Sequence, residues 1–216
     1  AEYNIDHLWT RGELTLQGVT SAFDASIYGA TSVGDLVYDF SSAVTTVKGR
    51  LRGGDAAQLP TFLELPALVS DVNGTYTLVA DTPKVWRLES VLDASTLEGA
   101  TIASGTVANI SLANEDVTYA IKGTMTDLDP KRMTPKLMDE PVEIPFESIR
   151  ISGVVDVEGG GAVAAPLTDH NATFSGTLDA DIDGATLRGV SLSGALASRR
   201  LTMTAEGAAA GTWDRL

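Results

Sequence analysis

One four-strand pattern is written three times along this chain, and that repetition limits the folds open to it more than any single residue does. The clearest trace is FDASIYGAT (23–31), LDASTLEGAT (92–101) and LDADIDGAT (178–186), each an apolar-Asp-Ala opening that runs into Gly-Ala-Thr. GELTL at Gly12, GTYTL at Gly74 and GVVDV at Gly153 begin the copies. VKGRL at Val47, IKGTM at Ile121 and AEGAA at Ala205 close them. Such self-similarity indicates one supersecondary unit stacked into an array. The steps from Gly12 to Gly74 and from Gly74 to Gly153 are 62 and 79 residues, so the period is loose and the second unit carries an insertion.

Within each copy the apolar residues alternate with a period of two, the mark of strands with one face buried. The first strands contribute Leu14 and Leu16, Tyr76 and Leu78, Val155 and Val157. The second strands contribute Phe23, Leu92 and Leu178, and the third Leu36, Tyr38 and Phe40, Ile110 and Leu112, Leu192 and Leu196. The fourth strands contribute Val47, Tyr119, Ile121 and Met203. Asp, Thr, Ser, Lys, Asn and Glu fill the positions between. A slip of one residue would turn every apolar side chain to water, so three agreeing copies specify the register strongly. The expected fold is mainly β: an elongated antiparallel sheet of about twelve strands, above 45% strand, with one apolar and one wet face. Gly-Ala and Asn-Gly steps are expected to supply its turns.

The pattern divides the chain into repeats at 1–71, 72–151 and 152–216, joined as one continuous structural domain. Connectors at 55–65 and 129–139 have helical spacing and a capping aspartate, Asp55 or Asp129. Pro60 and Pro135 restrict them to short helices. An insertion follows at 140–149. The last copy ends in GTWDRL, where a further connector would start, so a segment of a longer repetitive protein is expected.

Composition narrows the partners. Twenty-nine acidic against 15 basic residues give a net charge of −14. Phosphate binding needs clustered Lys and Arg, so no nucleic acid is expected, and adsorption to an anionic membrane surface is disfavoured. There is no cysteine, hence no disulfide and no thiolate chemistry. No run of 18 apolar residues is present to span a bilayer as a helix.

Catalytic material is sparse. His7 and His170 are the only histidines, and neither sits in a nucleophile or metal motif. Asp179-Ala-Asp181-Ile-Asp183-Gly184 matches the opening of a calcium loop, but the twelfth position is Val190 and the other copies lack the acidic ladder. Alternation puts all three carboxylates on the wet face. No enzyme activity, cofactor or metal is expected. The sequons at Asn73, Asn109 and Asn171 carry meaning only in a eukaryotic secretory setting. Trp9, Trp86 and Trp213 read as core or rim anchors, with Trp86 on the face of Leu88 and Leu92.

The repeated LDAS…GAT strands, the KG-containing closing strands and the LDPKRM connector together resemble the AsmA-like/TamB family of bacterial envelope proteins. The likeness covers nearly the whole chain, and SGTLDADIDGATLRGVSLSGALASRRLTMTAEG carries its rhythm best. The resemblance implies a long sheet folded over as a β-taco, whose apolar groove shields phospholipid or other acyl chains between membranes. It implies a periplasmic or cell-envelope location, anchoring outside this segment, and envelope proteins as partners. The groove lining would then be Phe23, Leu36, Tyr38, Phe40, Tyr76, Leu78, Leu92, Ile110, Leu112, Tyr119, Ile121, Leu178, Leu192, Leu196 and Met203. The residues also allow a different class: a structural β-repeat module of a surface or adhesin-like protein, with a closed core and no ligand.

Overall fold

The computed structural model describes residues 5–58, 67–137, 143–165, 169–197 and 200–206. It is 73% strand and 6% helix, in one antiparallel sheet. The first repeat forms β1 (Ile5–Leu14), β2 (Gly18–Ile27), β3 (Ala30–Asp39) and β4 (Val44–Gly54). The second forms β5 (Ser70–Thr82), β6 (Val85–Leu92), β7 (Ser95–Leu97), β8 (Ala100–Ile102), β9 (Val107–Ala113) and β10 (Asp116–Leu128). The third forms β11 (Ile149–Ala162), β12 (Asn171–Ile182), β13 (Ala185–Ala197) and β14 (Arg200–Glu206). Twelve of these follow one another across the sheet in chain order, and β7 and β8 lie off that path, against β5 and β10 respectively.

The two extra strands are the outer half of the second repeat's middle hairpin. That hairpin is cut by the segment 103–106, where Gly105 takes φ +89° and its amide, like that of Leu92, bonds back across the break. The three repeated motifs form the tightest turns. Tyr28-Gly29, Glu98-Gly99 and Asp183-Gly184 each place two successive residues at positive φ, the type I′ geometry whose twist matches paired strands. Asn73-Gly74, expected at a turn, instead lies inside β5. The Asn73 amide binds Ser95 Oγ at 3.0 Å and its side-chain oxygen accepts the Gly53 amide at 3.1 Å, which holds the chain extended.

The first copy's opening strand also differs from expectation. Thr15 folds a tight turn back to Gly18, with its hydroxyl accepting the amides of Gln17 and Gly18. The strand therefore ends at Leu14, and Leu16 is fully exposed.

The connectors begin as expected. Asp55 Oδ1 accepts the Ala57 amide at the start of a 3₁₀ turn over Ala56–Gln58, while the rest of that connector lies outside the described residues. Asp129 caps the helix α1 (Pro130–Leu137) by accepting the Lys131 amide at 3.0 Å, with proline at the favoured first position. Each capping aspartate also ties its connector to the next repeat. Asp55 accepts the Ser70 amide at 3.0 Å, and Asp129 pairs with Arg150 at 2.6 Å. Hydrogen bonds to the Ser70 and Ala57 amides hold the Asp55 carboxyl below its ordinary pKa.

No layer covers this sheet among the described residues. Ala25 and Ala100 are the buried hydrophobic residues, and no large side chain is fully buried among those described. The chain exposes 13697 Å², whereas a compact monomer of 22.6 kDa exposes about 9,500 Å².

Candidate functional site

Directly opposed residues of an antiparallel pair share a face, so the register alone assigns every side chain to a side. One row crosses ten strands: Leu36, Val47, Leu78, Leu88, Ile110, Tyr119, Gly159, Ala172, Leu196 and Leu201. Beside it run Phe23, Gly34, Gly49, Tyr76, Ser90, Ala108, Ile121, Val157, Phe174, Gly194 and Met203. On the far side run Tyr38, Thr45, Ala80, Trp86, Leu112, Val117 and Gly161. Leu92, Leu178 and Leu192 belong to the same side through Gly74, Gly153 and Gly176.

Thirteen of the fifteen residues expected to line an apolar surface thus fall on one side of the sheet. Phe40 lies just past the end of β3, 47% exposed, and stands edge-on to Tyr38 at 5.6 Å. Met203 lies opposite Gly194 by backbone register, and its side chain is outside the described residues. Sequence reasoning missed Phe174, Leu187 and Val190, which extend the same face. The signal was present, because the alternation runs on in both directions from the LDAD motif.

This face is the more sheltered one. No strand valine on it is exposed, whereas Val33, Val37, Val91, Val107 and Val154 on the other face are 39–53% exposed. Trp9 points to that other face and is half exposed.

Aromatic rings lie over glycines and level the surface. A Cβ on Gly49 would stand 2.7 Å from the Tyr76 hydroxyl oxygen, and one on Gly159 would stand 2.6 Å from that of Tyr119. The Phe174 ring covers Gly194 in the same way. Only glycine leaves room for a ring to bed down across the neighbouring strand, the aromatic rescue of strand glycines.

Two of the hydroxyl groups on this face are engaged within the sheet. The Tyr76 hydroxyl reaches across β4 to Ser32 Oγ at 2.7 Å, and Ser90 Oγ donates to the Ala108 carbonyl at 2.6 Å. Tyr119 stacks on buried His170 with centroids 6.0 Å apart, and burial raises its phenol pKa. His170 Nε2 meets the Ala162 carbonyl at 3.2 Å, so it carries the proton there, and Nδ1 has no partner among the described residues.

The opposite face is wet and acidic, with Lys122 on Asp156 at 2.8 Å and Arg188 on Asp179 at 3.1 Å. Shallow open depressions of about 450, 360 and 630 Å³ lie on this polar side, lined mostly by Ser, Thr and charged residues. They are gaps between side-chain rows rather than clefts.

The calcium-like run is occupied by the protein itself. Asp179 accepts from Arg188 and the Gly189 amide, Asp181 from Thr186 at 2.6 Å, and Asp183 from the Ser148 amide at 2.6 Å. No group of three potential metal ligands occurs among the described residues. No described helix is long and apolar enough to cross a membrane. Comparison with family models, with curated proteins and with solved structures finds no match for this chain.

Proposed function

We propose that this chain is a segment of a periplasmic lipid-transfer bridge, and that its apolar face carries the acyl chains of phospholipid between membranes. The observation that carries the proposal is the mainly apolar face of a sheet that no described element covers. Eleven strand-to-strand steps of about 4.8 Å make a floor roughly 53 Å long. A closed structural module of similar sequence would bury this face in a filled sandwich, and no such core exists among the described residues.

An uncovered surface of this kind needs a guest or a partner. Flexible hydrocarbon suits it, because the floor is lined mainly by aliphatic and aromatic side chains. Burial would supply about 0.8 kcal/mol per methylene, spread evenly, so a lipid can slide along the row without a deep well. The sheet would fold over along its length to enclose the chains, leaving the acidic face outward and away from anionic bilayer surfaces.

Photocrosslinkers at 110 and 109 test this in cells with intact envelopes. Ile110 faces the floor and Asn109 the wet side, so lipid should crosslink from 110 alone. Ile110→Asp should block passage, whereas Asn109→Asp should be tolerated. Equal crosslinking from both positions, or from neither, would sink the proposal and favour a structural module.

A further inference from the structure

The floor is not uniform across its width. At its hairpin end, away from the connectors, one row holds Tyr38 on β3, Trp86 on β6 and Gly161 on β11, the last covered by the His170 ring. Tyr119 stands one row further in and stacks on that ring. At the connector end the same face carries Leu51, Leu92, Ile151, Leu178, Ile182 and Leu187. No described strand residue on the face there is Tyr, Trp or His. Tyr76 lies midway, and its hydroxyl is taken up by Ser32. His170 Nδ1, at the hairpin end, is the one buried side-chain polar atom without a partner among the described residues.

We infer that this hairpin-end row is the headgroup margin of the floor: the polar head of a phospholipid sits there, and its acyl chains run along the strands towards the connectors. The inference rests on the lipid reading above and adds the direction of the guest. Tyr, Trp and His join an apolar ring to a polar tip, and such side chains settle where hydrocarbon meets water. A head placed among the leucines and isoleucines of the other half would lose its water with no hydrogen bond in return. The rings also recur along the floor. Three strand steps separate Tyr38 from Trp86, and three more reach Gly161 beneath His170. A polar-tipped ring therefore stands about every 14 Å in the direction of passage. The width fits a single chain. One leaflet's hydrocarbon is about 15 Å deep, half of the bilayer core. The run from Trp86 to Leu92 on β6 covers about 20 Å at about 3.4 Å per residue. Acyl chains whose heads lie at Trp86 thus end on the aliphatic half.

Fluorescence quenching reads the direction. The chain has three tryptophans, so Trp9→Phe/Trp213→Phe leaves Trp86 as the sole reporter at the margin. Adding Trp86→Phe/Leu92→Trp moves the reporter to the aliphatic half. Each purified variant, checked for folding by circular dichroism, is mixed with phosphatidylcholine carrying a nitroxide on the headgroup or near the end of one acyl chain. The headgroup label should remove most of the emission from Trp86 and little from position 92, and the chain-end label should do the reverse. If Leu92→Trp does not fold, Trp86 alone decides, because the headgroup label must quench it more than the chain-end label. Equal quenching by the two labels, or the reversed order, overturns the inference and leaves the lipid reading standing. No quenching of either reporter by either label overturns both.

Discussion

Glu98 offers the sharpest test of how the second repeat is held together. It occupies the first position of the β7–β8 turn at φ +49°, yet its side chain is only 4% exposed. Its carboxylate accepts the Val69 amide at 2.6 Å and the Lys136 ammonium from α1, while its own amide donates to the Val69 carbonyl at 2.7 Å. Lys136 also donates to the Ala67 carbonyl at 3.2 Å. One side chain thus clasps both connectors to the end of the sheet. Glu98→Gln preserves shape, turn conformation and an acceptor for Val69, and removes only the charge. Losing a hydrogen bond to a charged partner costs about 1.5–3 kcal/mol. Because Lys136 is one-third exposed and can regain water, the lower half of that range, about 1.5–2 kcal/mol, is expected. With a urea slope of about 2–3 kcal/mol/M, the midpoint falls by roughly 0.5–1 M at pH 7. The Lys136 hydrogen bond, against opposing desolvation and with help from Val69, holds the Glu98 carboxyl below its ordinary value of 4.5. A depressed carboxyl stabilises fully above its unfolded pKa, and that contribution is lost as pH falls through the folded value. The gap between the native chain and Glu98→Gln should therefore close below about pH 4.5. Equal midpoints at pH 7, or a gap unchanged at pH 3, would refute the reasoning.

Gly159→Ala should cost about 1–2 kcal/mol by displacing the Tyr119 ring. The cost should vanish in a Tyr119→Ala background, and a urea double-mutant cycle that is additive would contradict the ring-over-glycine packing. Gly184→Ala meets no atom within 4 Å but sits at φ +85°, so it should lose about 1 kcal/mol from backbone strain alone. Gly184→Asn should lose less in the same unfolding assay. Calorimetric titration with calcium should show no binding, because the three carboxylates of the 179–184 run are engaged elsewhere. An isotherm abolished by Asp181→Asn would overturn that reading.

The amino-acid sequence by itself determined the fold class, the side of the sheet shared by the apolar residues and the turns of the three repeated motifs, but not the place of Asn73-Gly74, which lies inside β5. Those depend on local rules: side chains alternate strictly along a strand, and a Gly at the second turn position accepts positive φ where other residues strain. Three copies repeating the same alternation left one register in which Leu36, Leu78, Ile110 and Leu196 could share a side, and they do. Tertiary structure alone decided what depends on neighbours distant in sequence. The break at 103–106, the glycine beneath each ring and the clasp of Glu98 on Val69 and Lys136 arise between strands or connectors that composition cannot align. The early end of β1 was hidden for another reason, since the Thr15 turn competes with a GELTL pattern that in the other copies continues as strand. That no described element covers the apolar face was likewise beyond the sequence, because the same alternation serves an open floor and a closed sandwich, and only the packing in space distinguishes them.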